Sequence, residues 1–270
     1  MKLSYQVATP DVRPAPGVTA YQGDLEHAFA RLREEGYDGA ELMVCDPGKV
    51  DAALLKQLCE RYGLAIPMVC TGEVFGQDGL SFSDPDAGRR EEALRRVQAA
   101  ADLAAQFGAQ INIGRVRGGY VFGMPQDICR ERSVAGMRQA ALYAQSVGVT
   151  VALEPVNSIA SNFINTTQQG IHMVQEIGVP AFTLMLDSNH MFIDDLDITQ
   201  SIHDAKDLVT YVHMVDSNRL YPGNCKLDFG AFITALKEIG YDGWLSVEVF
   251  QRPDQDTALR RSIRHLRACL

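Results

Sequence analysis

The chain has 270 residues, 46% hydrophobic and 22% charged, with a formal net charge of -9. This is ordinary globular composition, with enough length for one large core. No apolar run reaches the roughly 20 residues that a bilayer crossing needs, and the acidic excess opposes a protein that tracks nucleic-acid phosphates.

Strand-like and helix-like segments alternate along the whole chain. Residues 2–8 (KLSYQVA) form the first expected strand, and the residues around it lack the long apolar stretch of a signal peptide. A helix is expected over Asp24–Glu35, with Leu25, Ala28, Phe29 and Leu32 on one face. GAELMV is the second strand, Val50–Tyr62 a helix ended by Gly63, and AIPMVC the third strand. A Gly-rich loop leads to a long helix over Ala87–Phe107, then AQINIG as the fourth strand and a loop, GRVRGGYVFGMP. The second half repeats the rhythm. Helices over Ile128–Val147, Thr167–Ile177, Thr199–Asp207, Phe229–Ile239 and Thr257–Cys269 alternate with VTVALE, FTLMLD, LVTYVHMV and WLSVEVF. The strand runs are mostly apolar, as a parallel sheet covered on both faces requires. Eight such units without a linker predict one domain over residues 1–270, a single (β/α)8 TIM barrel in the α/β class. The six cysteines show no pairing pattern, which suits free thiols in a cytoplasmic protein.

Glu154, Asp187, His213 and Glu248 each follow an apolar strand run at the point where it gives way to a loop. In a (β/α)8 barrel those strand ends meet at one rim. Three carboxylates brought together in a desolvated pocket repel unless a cation compensates them. One imidazole with carboxylate oxygens suits a divalent ion, Mn²⁺ first, with Mg²⁺, Co²⁺ or Zn²⁺ as alternatives. A single strand-end carboxylate would more simply cap a loop amide; four in the same position favour the metal. His27, His172, His203 and His265 fall on expected helices and read as surface or packing residues. His190 and Arg219 fall in the loops after the sixth and seventh strands, placed to donate hydrogen bonds to an oxygen-rich ligand.

The segments LEPVN, LDSNH, HMVDSNR and SVEVF resemble the motifs of the sugar isomerase/epimerase barrels. YQGDLEHAF, GYDGAELMVCDP, the VRG after the fourth strand and NFINT are similar to the branch of 5-keto-L-gluconate epimerases. The resemblance implies that Glu154, Asp187, His213 and Glu248 ligate one metal and that Glu154 and Glu248 are the acid/base pair. It also implies that His190 and Arg219 hold substrate oxygens. The ketose epimerases carry a further Glu where this chain has Ala160, which speaks against the same hydroxyl contacts. Arg115 and Arg117 lie in the loop after the fourth strand, where a guanidinium suits bidentate recognition of a carboxylate. Arg117, inside the VRG stretch, is the preferred carboxylate ligand. Tyr120 and Phe122 are candidates to pack on a sugar face, and Glu73 is a weaker candidate contact.

The expected activity is metal-dependent epimerisation of a keto sugar of the keto-hexonate type, by proton abstraction and return through a cis-enediolate between two glutamates. A ketose 3-epimerase or an aldose–ketose isomerase of the hydroxypyruvate type is the alternative. An abasic-site endonuclease-like hydrolase and a non-catalytic sugar-binding barrel are the remote ones. The expected partner is a small keto sugar or keto sugar acid, with no nucleic acid and no membrane, and homo-oligomerisation is open.

Overall fold

A computed structural model describes residues 1–270. Eight parallel strands close into a barrel in chain order: β1 (Lys2–Ala8), β2 (Gly39–Met43), β3 (Met68–Cys70), β4 (Gln110–Ile113), β5 (Val151–Leu153), β6 (Phe182–Asp187), β7 (Val209–His213) and β8 (Trp244–Val247). The helices between them are α1 (Leu25–Glu35), α2 (Ala52–Tyr62), α3 (Gly72–Gly76), α4 (Ala87–Ala105), α5 (Gln126–Ser146), α6 (Thr167–Ile177), α7 (Ser188–Asp194), α8 (Ile198–Asp204), α9 (Phe229–Glu238) and α10 (Gln255–Cys269). This is the (β/α)8 barrel expected from the alternation. No helix is long and apolar enough to cross a membrane.

The helix boundaries follow from local chemistry. Asp24, Asp51, Asp86, Asp228 and Asp254 each accept a backbone N–H of the following first turn. Each such cap contributes on the order of 1 kcal/mol. Thr166 and Gln169 form a reciprocal capping box at α6. Leu25, Ala28, Phe29 and Leu32 are all buried on α1, as their spacing requires. Two short helices, α3 and α7, lie where loops were expected. Asp187 explains the second: its side chain accepts from the backbone N–H groups of Asn189 and His190, so β6 turns straight into α7.

The main core fills the layer between strands and helices. Inside the barrel, Met68, Ala152, Met185 and Tyr211 form a separate apolar plug, with Trp244 packed against it. Toward the C-terminal rim the lumen becomes polar, with Gln6, Glu41, Asn112, His213 and Ser246 all buried. A register shift between β6 and β7 at Leu184/Met185 leaves Asp187 directly paired with His213. Neighbouring strands thus deliver two site residues side by side.

Candidate metal centre and active site

Four donor groups converge at the C-terminal rim. Asp187 and His213 end β6 and β7, and Glu154 and Glu248 follow β5 and β8 by one residue. One donor atom from each lies within 4.8 Å of every other, and all four residues are buried. His213 Nδ1 stands 3.6 Å from Glu154 Oε1, 3.7 Å from Asp187 Oδ2 and 3.6 Å from Glu248 Oε2. Asp187 spends Oδ1 on the α7 N-terminus at 2.8 and 2.9 Å, while its Oδ2 has no hydrogen-bond partner. His213 Nδ1 is likewise buried without a hydrogen bond. An unpartnered buried polar atom costs about 1–3 kcal/mol, so two of them aimed into one carboxylate cluster fit a bound cation. Three carboxylates and one imidazole are the donor set of a hard or borderline divalent ion.

Gly114 makes room for the first glutamate, because a Cβ there would come within 2.7 Å of Glu154 Oε2. Asn112 Nδ2 donates to the same oxygen at 3.1 Å and fixes its orientation. Glu248 accepts from Arg219 Nη2, with Arg219 Nη1 lying 3.7 Å from Asp187 Oδ2. Arg219 holds this position from a left-handed backbone with φ 60°, a conformation costly for a residue with a side chain and concentrated at functional sites.

His190 lies on α7, not in the loop expected for it, and faces the cavity beside Glu154 at 3.7 Å. Its tautomer follows from its neighbours. Asn157 Oδ1 accepts from the Ile159 and Ala160 backbone N–H groups, so its amide nitrogen is the atom that meets His190 Nδ1 at 2.8 Å. Nδ1 is therefore an acceptor, and Nε2 carries the hydrogen that faces the site. Burial holds the His190 pKa below its ordinary value, against the pull of Asp187 and Glu154, which keeps the ring neutral.

Glu41 on β2 completes the centre and was not singled out from the sequence. It is fully buried and accepts from His213 Nε2 at 3.0 and 3.2 Å, from Tyr211 Oη at 2.9 Å and from Gln6 Nε2 at 2.9 Å. A carboxylate on the far nitrogen fixes the ring and leaves the near nitrogen free for a metal. Burial opposes charge on His213, but Glu41, then Asp187 and Glu154, hold the imidazole pKa well above its ordinary value in the metal-free protein. Burial also raises Glu154, and His213 outweighs it, so that carboxyl is held low. At Glu248 burial prevails over Arg219, and the pKa is raised. The signal for Glu41 was a charged residue inside the apolar run GAELMV.

Arg117 corrects an expectation. Its side chain is fully buried, lies outside the active-site cavity and donates only within the protein. Nε donates to Phe163 O at 3.0 Å, Nη1 to Gly114 O at 2.6 Å and Glu154 O at 3.1 Å, and Nη2 to Ile164 O at 2.8 Å. These carbonyls saturate the fork, so no donor remains for a substrate carboxylate. Burial pushes its pKa down to about 10, which leaves it charged at neutral pH. It braces Ile164, a β-branched residue at φ 59°. Phe122 is fully exposed and outside the cavity, so it packs on no ligand. The cavity of about 460 Å³ is instead lined by Glu73, Arg115, Ala160, His190 and Arg219 around the donors.

A parallel barrel with one carboxylate–imidazole centre at its C-terminal rim defines the class: a (β/α)8 barrel with a candidate divalent-metal site. The family model described as xylose isomerase-like TIM barrel matches residues 29–269. The chain belongs to that family. It is 32% identical over 239 residues to L-ribulose 3-epimerase of Methylomonas sp. (strain DH-1), covering 87% of this chain and 82% of that one. It is 28% identical over 255 residues to 3-dehydro-D-guloside 4-epimerase of Escherichia coli (strain K12), covering 89% and 93%. The crystal structure of D-allulose 3-epimerase from Methylomonas sp. in complex with D-allulose superposes with a TM-score of 0.81 at 26% identity, covering 100% of this chain and 98% of that one. These relatives are epimerases, and the chain is an isomerase of the carbohydrate-epimerase kind.

Proposed function

We propose that the protein is a divalent-metal-dependent epimerase of a keto sugar, with Glu154, Asp187, His213 and Glu248 as metal ligands and Glu154 and Glu248 as the acid/base pair. The observation that carries this is the pair of orphaned atoms, Asp187 Oδ2 and His213 Nδ1, within a four-donor cluster that holds both glutamates. The relatives act on an L-ribulose, a 3-dehydro-D-guloside and a D-allulose, all keto sugars by name. A divalent ion bound there supplies Lewis acidity to the substrate's carbonyl oxygen. Manganese is the first choice for this donor set.

The protein's own groups do the rest. His190 donates through Nε2 and Arg219 through its guanidinium to the substrate oxygens that gain negative charge. One glutamate takes the proton from the carbon beside the carbonyl. The other returns a proton to the opposite face of that carbon, which inverts it. The glutamates come from β5 and β8, so they approach the substrate from different parts of the rim. The keto-hexonate expectation loses Arg117, the residue it preferred as carboxylate ligand. The proposal is therefore for a keto sugar, acidic or neutral. The test is incubation of the Mn²⁺-loaded protein with ketoses in D₂O. Deuterium must enter at the carbon beside the carbonyl together with the inverted product. Exchange at the neighbouring carbon with aldose formation would make it an aldose–ketose isomerase instead.

A further inference from the structure

A second cavity of about 400 Å³ adjoins the active-site cavity, and Arg115, Ile159 and Ala160 line both. Beside Arg115 and Ile159, Ala160 contributes only a methyl group where the two meet. Gly76 lets the side chains of Glu73 and Arg115 come close to its backbone: a Cβ there would come within 2.8 Å of the Glu73 carboxylate and 2.9 Å of Arg115 Nη2.

The outer cavity is preformed. Its wall is held by Ser83 Oγ accepting from Gly119 N at 2.9 Å, and by Asn162 accepting from Tyr120 N and donating to Tyr120 O, each at 2.9 Å. The buried Arg117 ties Phe163 and Ile164 to Gly114 behind that wall. The lining combines two aromatic residues, Phe75 and Tyr120, with hydroxyl groups from Ser81, Ser83 and Ser161. Arg115 is its only charged residue. The Arg115 guanidinium lies 5.5 Å from the Phe75 ring centroid and makes no hydrogen bond or ion pair within the protein. Its donors are free at the junction.

The inner cavity already has the volume of a small-ligand site, and it accounts for a hexose-sized molecule held at the metal centre. Aromatic faces and hydroxyls suit a sugar ring, which is apolar on one face and hydrogen-bonding at its edge. One cation is too little for a diphosphate, which draws several basic groups. We propose that the outer cavity is a second sugar subsite, and that the substrate is a hexopyranose with its ketone on a ring carbon other than the anomeric one, joined through the anomeric carbon by a glycosidic bond to a second, neutral hexose. Arg115 would then donate to the oxygens at the link. This rests on the epimerase reading above and extends it to the length of the substrate.

The test compares two probes with the same hexopyranosyl core, its ketone on a ring carbon away from the anomeric one, one a methyl glycoside and the other carrying glucose as the aglycone. kcat/KM is read for the Mn²⁺-loaded enzyme from deuterium incorporation beside the carbonyl. Val121 lines only the outer cavity and is partly exposed, so Val121→Trp fills the subsite without touching the centre. Val121→Phe is the milder second variant, and thermal unfolding verifies that each folds. The wild type is expected to favour the glucosyl probe at least tenfold. Each variant is expected to lose that preference while keeping its rate on the methyl glycoside within about twofold. Equal use of both probes by the wild type overturns the subsite, as does an equal fall on both probes in the variants. If the wild type exchanges neither probe and no free ketose, the epimerase reading itself fails, a different outcome from loss of the preference alone.

Discussion

Glu41→Gln isolates the contribution of a charge that touches neither the metal position nor the substrate. The amide is isosteric with the carboxylate. Its oxygen can keep the bonds from Gln6 Nε2 and His213 Nε2, both made to Oε1 at 2.9 and 3.0 Å. Its nitrogen then faces Tyr211 Oη, which now donates to Oε2 at 2.9 Å. That hydroxyl can turn and donate to Ser4 Oγ, 3.2 Å away, so packing survives. The imidazole loses its charged partner. A hydrogen bond to a charged group contributes about 1.5–3 kcal/mol and a neutral one about 0.5–1.5, so roughly 1 kcal/mol or more goes from the ligand's support. Loss of such a partner to a ligating histidine typically costs 10–100-fold in metal affinity, which is about 1.4–2.7 kcal/mol. The assay is calorimetric titration of the metal-free variant with Mn²⁺, followed by kcat at saturating metal. Affinity is expected to fall 10–100-fold, with kcat recovering to within a few-fold once the metal is saturating. Unchanged affinity would refute the positioning role. Lost activity with full metal occupancy would place Glu41 in the chemistry instead.

Glu154→Gln and Glu248→Gln should each abolish deuterium exchange beside the carbonyl, and full turnover by either variant removes that residue from the acid/base role. Metal binding should release a proton, because His213 is held protonated in the metal-free protein by Glu41 and the site carboxylates. Apparent Mn²⁺ affinity should therefore rise with pH, by up to about tenfold per unit, until the pH passes the raised pKa of His213, and then level off. A flat profile from pH 6 to 8 would contradict this. The same raised pKa stabilises the metal-free fold below about pH 6.5, the ordinary histidine value, and that contribution fades as pH rises through the folded value. Thermal melts of chelator-treated protein read it directly. Arg117→Ala leaves several buried carbonyls without donors, at about 1–3 kcal/mol each. A loss of at least about 3 kcal/mol should lower the melting temperature by roughly 6–12 °C, with all substrates affected alike; a substrate-selective loss at unchanged stability would restore Arg117 to the binding site.

The four donors could be read from the sequence because each ends an apolar strand, and the barrel's topology carries all strand ends to one rim. Arg117 could not. A guanidinium in a Gly-rich loop looks the same whether it meets a ligand or the carbonyls of Phe163 and Ile164. That distinction depends on how segment 161–164 folds over it. His190 lines the cavity from a helix and not from a loop, since only the capping of Asp187 shows that β6 runs directly into a helix. Glu41 was visible as a charge within an apolar strand. Its partner, His213, lies 172 positions away and is brought to it only by barrel closure.

The proposed ligands come from β5 to β8, a contiguous half of the barrel, whereas Glu73 and Arg115 follow β3 and β4 in the other half. The proposed ligands and this part of the cavity lining are thus carried by separate stretches of chain. Exchanges in the segment after β3 can reshape what the cavity admits while leaving the register of β6 against β7, and Asn112, Gly114 and Arg117 around Glu154, as they are. A laboratory wishing to redirect this scaffold would vary the segment after β3 and the side chain of Arg115 while keeping Gly114 and Arg117. Selection acting on this lineage would meet the least resistance in the same place.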